Sequence, residues 1–227
     1  MQAFDPIADS YDQWYDTTEG RAIFTAELDC LHRLGGPYLG RWLEVGVGTG
    51  RFASALGIAE GIDPSDRMLE VAARRGIKTY AGWGEHLPFP PSSFDGVLLA
   101  LVLCFVADAT QILTECHRVL RPMGRLLLGI VPVDSPRGRA YRKKASEGHP
   151  VYALVRFHTA TEIVGLAENA GFELLEAAST LFWEPGATPQ TEPRVETGTV
   201  SGAGFLGLLF EKTAREHSSG DDSEVRT

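Results

Sequence analysis

Short apolar runs alternate with longer amphipathic segments from about Arg41 to Ala170. That alternation marks β-α units, and hence a mostly parallel sheet with helices on both faces. The runs predict strands at 41–46, 58–62, 77–81, 94–100, 125–131, 172–180 and 202–211, and helices at 49–56, 65–74, 109–120 and 159–170. Thr159 and Thr161, followed by Glu162, supply oxygens for a helix N-terminus, and Gly171 supplies its stop. The segment Leu120-Arg121-Pro122-Met123-Gly124 ends the preceding helix, where Pro and Gly turn the chain into the next strand.

Outside this alternation the pattern changes. The first forty residues read as helical and crowd Tyr11, Trp14 and Tyr15 together, which predicts a cap over the domain. The stretch 132–158 is more basic and longer than the usual two to six or so residues between strand and helix, as a lid-like insertion would be. Residues 184–199, rich in Pro, Gly, Thr and Glu, read as a loop, and the acidic segment 214–227 as a disordered tail. One domain over 1–213 is therefore expected, without internal repeats.

Composition narrows the partners. With 227 residues, 44% apolar and 22% charged, the chain is long enough for one substantial core. Its longest apolar run, Val97 to Ala107, is roughly half the ~20 residues a bilayer crossing needs. The start Met1-Gln2-Ala3-Phe4-Asp5 lacks the basic-then-apolar pattern of a secretory leader, so a cytoplasmic location is expected. Cys30, Cys104 and Cys116 are odd in number and without ligand spacing, which points to reduced thiols and no metal site. A net charge of −9 repels nucleic acid and anionic lipid and leaves small molecules as the expected partners; oligomeric state is unspecified.

The chemistry concentrates in Leu43-Glu44-Val45-Gly46-Val47-Gly48-Thr49-Gly50-Arg51-Phe52, a strand running into alternating glycines and then a helix. Glycines there allow a sharp turn and close approach of a ligand to the backbone. Seventeen residues after Gly46, Asp63 ends the second strand, where a carboxylate accepts both hydroxyls of a ribose. A nucleoside cofactor fits. The dinucleotide fingerprint needs glycine where this chain has Arg51, so a dehydrogenase is a poor match.

With Leu87-Pro88-Phe89, Ser93-Phe94-Asp95 and Arg118-Val119-Leu120-Arg121-Pro122 downstream, these motifs resemble the class I S-adenosylmethionine-dependent methyltransferases, in particular the small-molecule, type 11-like enzymes. The resemblance implies an α/β, Rossmann-like, doubly wound sheet of seven mostly parallel strands, the last antiparallel, under an N-terminal helical lid. It implies that S-adenosyl-L-methionine is the cofactor. It implies that Glu44, Gly46 and Gly48, with Gly50 completing the turn, hold the methionine end, that Asp63 takes the ribose, and that Pro64 and Met68 pack near adenine. Glu85 and its neighbours would close the other side of the base, with Trp83-Gly84 where the family often has Asp-Ala. Tyr11, in Tyr11-Asp12-Gln13-Trp14-Tyr15, would lie over the sulfonium, and Leu101 is a further expected cofactor contact.

A sulfonium carries its own leaving group, so the protein's work is alignment and exclusion of water. The acceptor side would rest on the apolar floor from Leu101 to Val106, with Cys104 either a small core residue or a contact. Trp14, Tyr15, Cys104, His149, Tyr152 and Phe157 are the candidate acceptor contacts, and Tyr11, Tyr15 and His158 the candidate catalytic groups, none decisive. The cluster Arg137, Arg139, Arg142, Lys143 and Lys144 either steers an anionic acceptor or is a solvated helix face. A nicotinamide or flavin oxidoreductase and a non-catalytic cofactor-binding module are the alternatives.

Overall fold

A computed structural model describes residues 2–149, 151–190 and 192–213; the tail expected at 214–227 lies outside the described residues. Strands β1 (Trp42–Val45), β2 (Glu60–Asp63), β3 (Lys78–Ala81), β4 (Phe94–Ala100) and β5 (Leu120–Ile130) run parallel to one another. The chain ends with β6 (Phe172–Thr180), β7 (Glu196–Thr197) and β8 (Phe205–Lys212), and β8 runs antiparallel between β5 and β6. The spatial order is β3-β2-β1-β4-β5-β8-β6-β7. The order reverses between β1 and β4, so the crevice beyond their C-terminal ends is where an open α/β sheet binds its ligand.

The doubly wound arrangement and the antiparallel final strand match the expectation. Among the described residues the sheet has eight strands rather than seven, because the segment expected as a loop at 184–199 contributes the two-residue β7 against Ala178 and Ser179. Two residues are too few for a periodic signal. At the start of β5, Leu120 pairs with Phe94 and Arg125 with Gly96, so the Pro122–Gly124 turn is a bulge within the strand rather than a connection before it. Met123 at its tip has φ +61° and is exposed.

The helices form where the sequence caps them. In α1 (Ala8–Trp14) and α2 (Thr18–Gly35) the N-terminal segment is helical, and the Thr17 side chain accepts from the Gly20 N–H to start α2. Helix α3 (Arg51–Leu56) follows the glycine turn, α4 (Asp66–Arg74) is capped by Ser65 and α5 (Ala109–Val119) by Asp108. The 132–158 insertion contains α6 (Pro136–Ser146), with Ser135 as cap and Pro136 in the first turn, then a 3-10 turn, Tyr152–Leu154. In α7 (Ala160–Asn169), Thr159 and Glu162 form a reciprocal capping box.

Alternate residues of the central strands pack on opposite faces. Leu43, Val97, Leu99, Leu126 and Leu128 join one apolar cluster, and Trp42, Leu98, Ala100 and Leu127 the other. Full burial of Phe94, Phe205 or Phe210 stabilises by roughly 1.5–3 kcal/mol each, against ~1 kcal/mol for a helix cap. Packing on the two faces therefore dominates and fixes the crevice. On α2 the buried stripe is Ile23, Ala26, Cys30, Leu31 and Leu34 against β6 and β8, and Glu27 falls on the same stripe.

Candidate active site

Beyond β1 the chain leaves the sheet through the glycine turn, pinned by the Gly46 and Val47 N–H groups donating to the Ile62 carbonyl at 2.8 and 3.0 Å. Gly46 has φ +73°, and a Cβ there would stand 2.4 Å from Val102 Cγ2. Gly48 has φ +50° and faces open space where a Cβ would be, so the missing side chain leaves room for a ligand. Asp63 ties this turn to the next strand: Oδ2 accepts from the Gly48 N–H at 3.0 Å and Oδ1 from the Ser65 N–H at 2.9 Å. Burial pushes its pKa up, while those two N–H groups pull it down.

Around the turn lies a cavity of about 460 Å³, within the ~300–1,000 Å³ usual for small-molecule sites. Gly46, Gly48, Asp63, Pro64 and Met68 form one side, Trp83, Gly84 and Glu85 another, and Leu101, Phe105 and Tyr11 a third. Arg118 fixes the Trp83 wall by donating to the carbonyls of Leu87 and Phe89 at 2.9 and 2.7 Å, while Glu115 accepts from the Leu87 N–H. Leu87 and Phe89 are themselves buried. Trp83 is 51% exposed, so one face of its ring is left to solvent or a ligand.

Two expected cofactor residues stand off this wall. Gly50 caps α3 with φ +78°, and a Cβ there would lie 3.0 Å from the Ala72 Cβ, which is a packing constraint. Glu44 is buried in β1 behind the turn, where burial raises its pKa well above the usual range, against a hydrogen bond from the Ala53 N–H; its Oε2 has no partner.

A second cavity of about 310 Å³ adjoins the first and shares Tyr11, Leu101 and Phe105 with it as walls. Trp14, Tyr15, Tyr141, Tyr152 and Phe157 give it aromatic walls, and Cys104, His149 and His158 also line it. All six expected acceptor contacts are thus brought together. Leu101, at the junction, is held at φ +60° by its N–H donating to the Gly129 carbonyl at 2.8 Å, a conformation that costs a non-glycine residue energy and recurs at ligand sites.

The proton inventory is limited. Tyr11 and Tyr15 hydroxyls lie 3.1 Å apart, and burial pushes Tyr11 up to about 12 and Tyr15 well above the ordinary phenol value. Both stay protonated at neutral pH, so they orient rather than abstract. Burial likewise drives Cys104 up to about 12, and its thiol points to the Leu101 carbonyl, making it an inert wall rather than a nucleophile. His158 Nδ1 lies 3.9 Å from Glu162, and His149 Nδ1 accepts from the Val151 N–H at 3.3 Å. Among the described residues no group of three or more His, Cys, Asp or Glu could hold a metal ion.

Arg51, the residue that breaks the dinucleotide pattern, pairs with Asp12 at 2.8 Å and Asp16 at 3.1 Å, with Arg75 reaching Asp12 at 2.8 Å. Other residues depart from the sequence reading or escaped it. Arg137 is not part of a solvated basic face but is 2% exposed beside the Trp183 ring, whereas Arg139, Arg142, Lys143 and Lys144 are exposed. Glu27 lines the second cavity while 3% exposed, and no sequence motif marked it. Its place on the apolar stripe of α2 was the available signal.

Residues 43–128 match the model of the methyltransferase domain family. An S-adenosylmethionine-dependent methyltransferase of Thermotoga maritima, described as a possible histamine N-methyltransferase, has a solved structure 36% identical to this chain, with a TM-score of 0.86 over 93% of this chain and 99% of that one. An uncharacterized protein of Methanocaldococcus jannaschii is 36% identical over 93% of this chain and its own full length. An uncharacterized methyltransferase of Bacillus subtilis is 34% identical over 66% of this chain and 67% of its own length.

Proposed function

Because the chain belongs to the S-adenosylmethionine-dependent methyltransferases, we propose that it moves the cofactor's methyl group to a small-molecule acceptor by in-line displacement. The observation that carries this reading is the pair of chambers, about 460 and 310 Å³, meeting at Tyr11, Leu101 and Phe105. One chamber for the methyl donor and one for the acceptor, with a shared wall, is the geometry an attack from behind the methyl requires.

The residues of the larger chamber fit the cofactor. Gly48 leaves its backbone bare beside open space, Asp63 presents a half-buried carboxylate to the chamber, and Pro64, Met68 and Trp83 offer apolar surface for a base. In this reading Gly46 and Gly48 bound the methionine tail, Asp63 accepts the ribose hydroxyls, and Glu44 braces the turn from behind. The cofactor supplies an activated methyl on a sulfonium, so no residue has to polarise the carbon. Tyr11 closes the junction and excludes water, and its protonated hydroxyl, tied to Tyr15, fixes the ring.

A small acceptor follows from room and charge. A cavity of about 310 Å³ is at the lower end of the ~300–1,000 Å³ range of small-molecule sites and suits a compact acceptor. The net charge of −9 opposes nucleic acid. Incubating the protein with methyl-labelled S-adenosylmethionine and a small-metabolite extract is the test. Label in a low-mass product supports the proposal; label only in added protein or RNA contradicts it.

A further inference from the structure

The second chamber contains a group that neither the cofactor nor the packing uses. Glu27 enters it from α2, is 3% exposed, and its Oε2 has no hydrogen-bond partner. A buried polar oxygen left unsatisfied costs about 1–3 kcal/mol, and one that opens on a cavity can recover that cost from a ligand. Around it stand the aromatic rings of Tyr15, Tyr141 and Tyr152, with Tyr11 toward the donor chamber. A lone carboxylate among electron-rich ring faces is complementary to an ammonium or a protonated ring nitrogen, through charge and cation–π attraction together. It is a poor receptor for a carboxylate or a phosphate.

Resting on the methyltransferase reading, we propose that Glu27 receives the nitrogen of a small amine acceptor and takes its proton. The amine enters as an ammonium and gives one proton to the Glu27 carboxylate. The freed lone pair forms the N–C bond as the C–S bond breaks, and the electrons of that bond return to sulfur. The N-methyl ammonium leaves, and the Glu27 proton passes to solvent. Atoms and charge balance with no further reactant.

The surroundings suit that role. Burial pushes the Glu27 carboxyl up to about 8, and Arg137 works against the rise. A base with a pKa near working pH transfers protons efficiently. The titratable groups that act on it or share its chamber are Arg137, Tyr141 and Lys144 from α6, His149, Tyr152 and His158 from the rest of the insertion, Tyr11 and Tyr15 from the N-terminal segment, Cys104 from the floor, and Cys30 from α2 itself. The tyrosines and the cysteines are held neutral by burial; Arg137 is the cation that acts on the Glu27 carboxyl, while the Lys144 ammonium sits over the Tyr141 and Tyr152 rings at 5.9 and 5.6 Å. Arg137 does not line the chamber and has two nitrogens of its own without hydrogen-bond partners.

The test uses the full chain with S-adenosylhomocysteine for binding and S-adenosylmethionine for turnover, against phenethylamine, 4-ethylphenol and phenylacetate as matched probes. Expected are binding of phenethylamine to the S-adenosylhomocysteine complex by calorimetry, its N-methylation, and weaker or no response to the other two. Glu27→Gln should keep S-adenosylhomocysteine affinity within about twofold, weaken phenethylamine binding at least tenfold, and lower kcat/KM on the amine by ~100-fold or more. The rising limb of the wild-type rate profile near pH 8 should vanish in that variant. Bound S-adenosylhomocysteine with the amine inert and the phenol or carboxylate methylated would overturn the proposal and leave the cofactor reading intact. So would a Glu27→Gln protein with lowered melting temperature but unchanged amine affinity, since Glu27 would then only balance Arg137. Failure to bind S-adenosylhomocysteine would bring down the cofactor reading and this one with it.

Discussion

The Arg51 guanidinium, in the first turn of α3, meets the Asp12 carboxylate of α1 at 2.8 Å, and so joins the glycine turn to the segment that carries Tyr11. Arg51 also donates to the Asp12 carbonyl, and Arg75 donates to the same carboxylate and to the Thr49 carbonyl. Burial opposes ionisation of Asp12, but the bonds from Arg51 and Arg75 outweigh it and hold its pKa at about 2. The network ties the cap over both chambers to the turn that bounds one of them.

Asp12→Asn should therefore loosen the cap. We expect a loss of roughly 1–2 kcal/mol in denaturant unfolding, between the small value of an exposed pair and that of a buried pair broken on one side. S-adenosylhomocysteine affinity should fall several-fold, and limited proteolysis should cut first between residues 2 and 17. Unchanged affinity and unchanged cleavage would mean that the cap sits in place without this network.

The two turn glycines should fail in different ways. Gly46→Ala drives a Cβ to within 2.4 Å of Val102 at φ +73° and is expected to lower the melting temperature sharply. Gly48→Ala meets no atom within 4 Å, so its stability cost is confined to the ~1–2 kcal/mol of a left-handed backbone. Its cofactor affinity should nonetheless drop at least tenfold, because the new methyl occupies ligand space. Differential scanning fluorimetry with and without S-adenosylhomocysteine separates the two effects.

Much of this was readable from the chain. Predicted strand and helix limits fall close to the observed ones because both faces of the central strands are buried, which writes continuous apolar runs into the sequence. The glycine turn and Asp63 were legible because positive φ and a strand-end carboxylate leave few residue choices. The pairing of Arg51 with Asp12 was not legible, since spacing locates a backbone and not the direction in which a long side chain leaves it. Arg137 looked like its exposed neighbours because polar residues on one short helix do not announce which one is covered by Trp183. Glu27 is a glutamate among glutamates until α2 is placed on β6 and β8.

The cysteines should be slow to react in the native state. Burial pushes Cys30 and Cys104 up to about 12 and Cys116 higher still. At pH 8 the thiolate fraction of such a group is on the order of 10⁻⁴. A chromogenic disulfide reagent should find few thiols in native protein and all three after denaturation. Rapid native labelling of Cys104 would contradict its assignment as an inert wall.

Stability should fall as pH rises from about 5 to 8. Glu27 titrates at about 8 when folded against an ordinary 4.5, so the folded state holds the extra proton in that window. A raised folded pKa contributes stability that is complete below the unfolded pKa and lost as pH passes the folded one, with a slope of up to about 1.4 kcal/mol per pH unit. Glu44 and Asp63, also raised by burial, act in the same direction. Asp12 and Glu60, each held at about 2, act oppositely: their contributions persist above the usual carboxylate range and fade only toward pH 2. Urea titrations from pH 5 to 8 should show the decline in wild type and a flatter curve in Glu27→Gln.

Calorimetric titration of S-adenosylhomocysteine into the wild-type protein and into Asp63→Ala bears most directly on the whole account. One site per chain in the wild type, with affinity reduced at least tenfold in Asp63→Ala, is the predicted result. No binding to a folded wild type, or equal affinity in the two proteins, would contradict it.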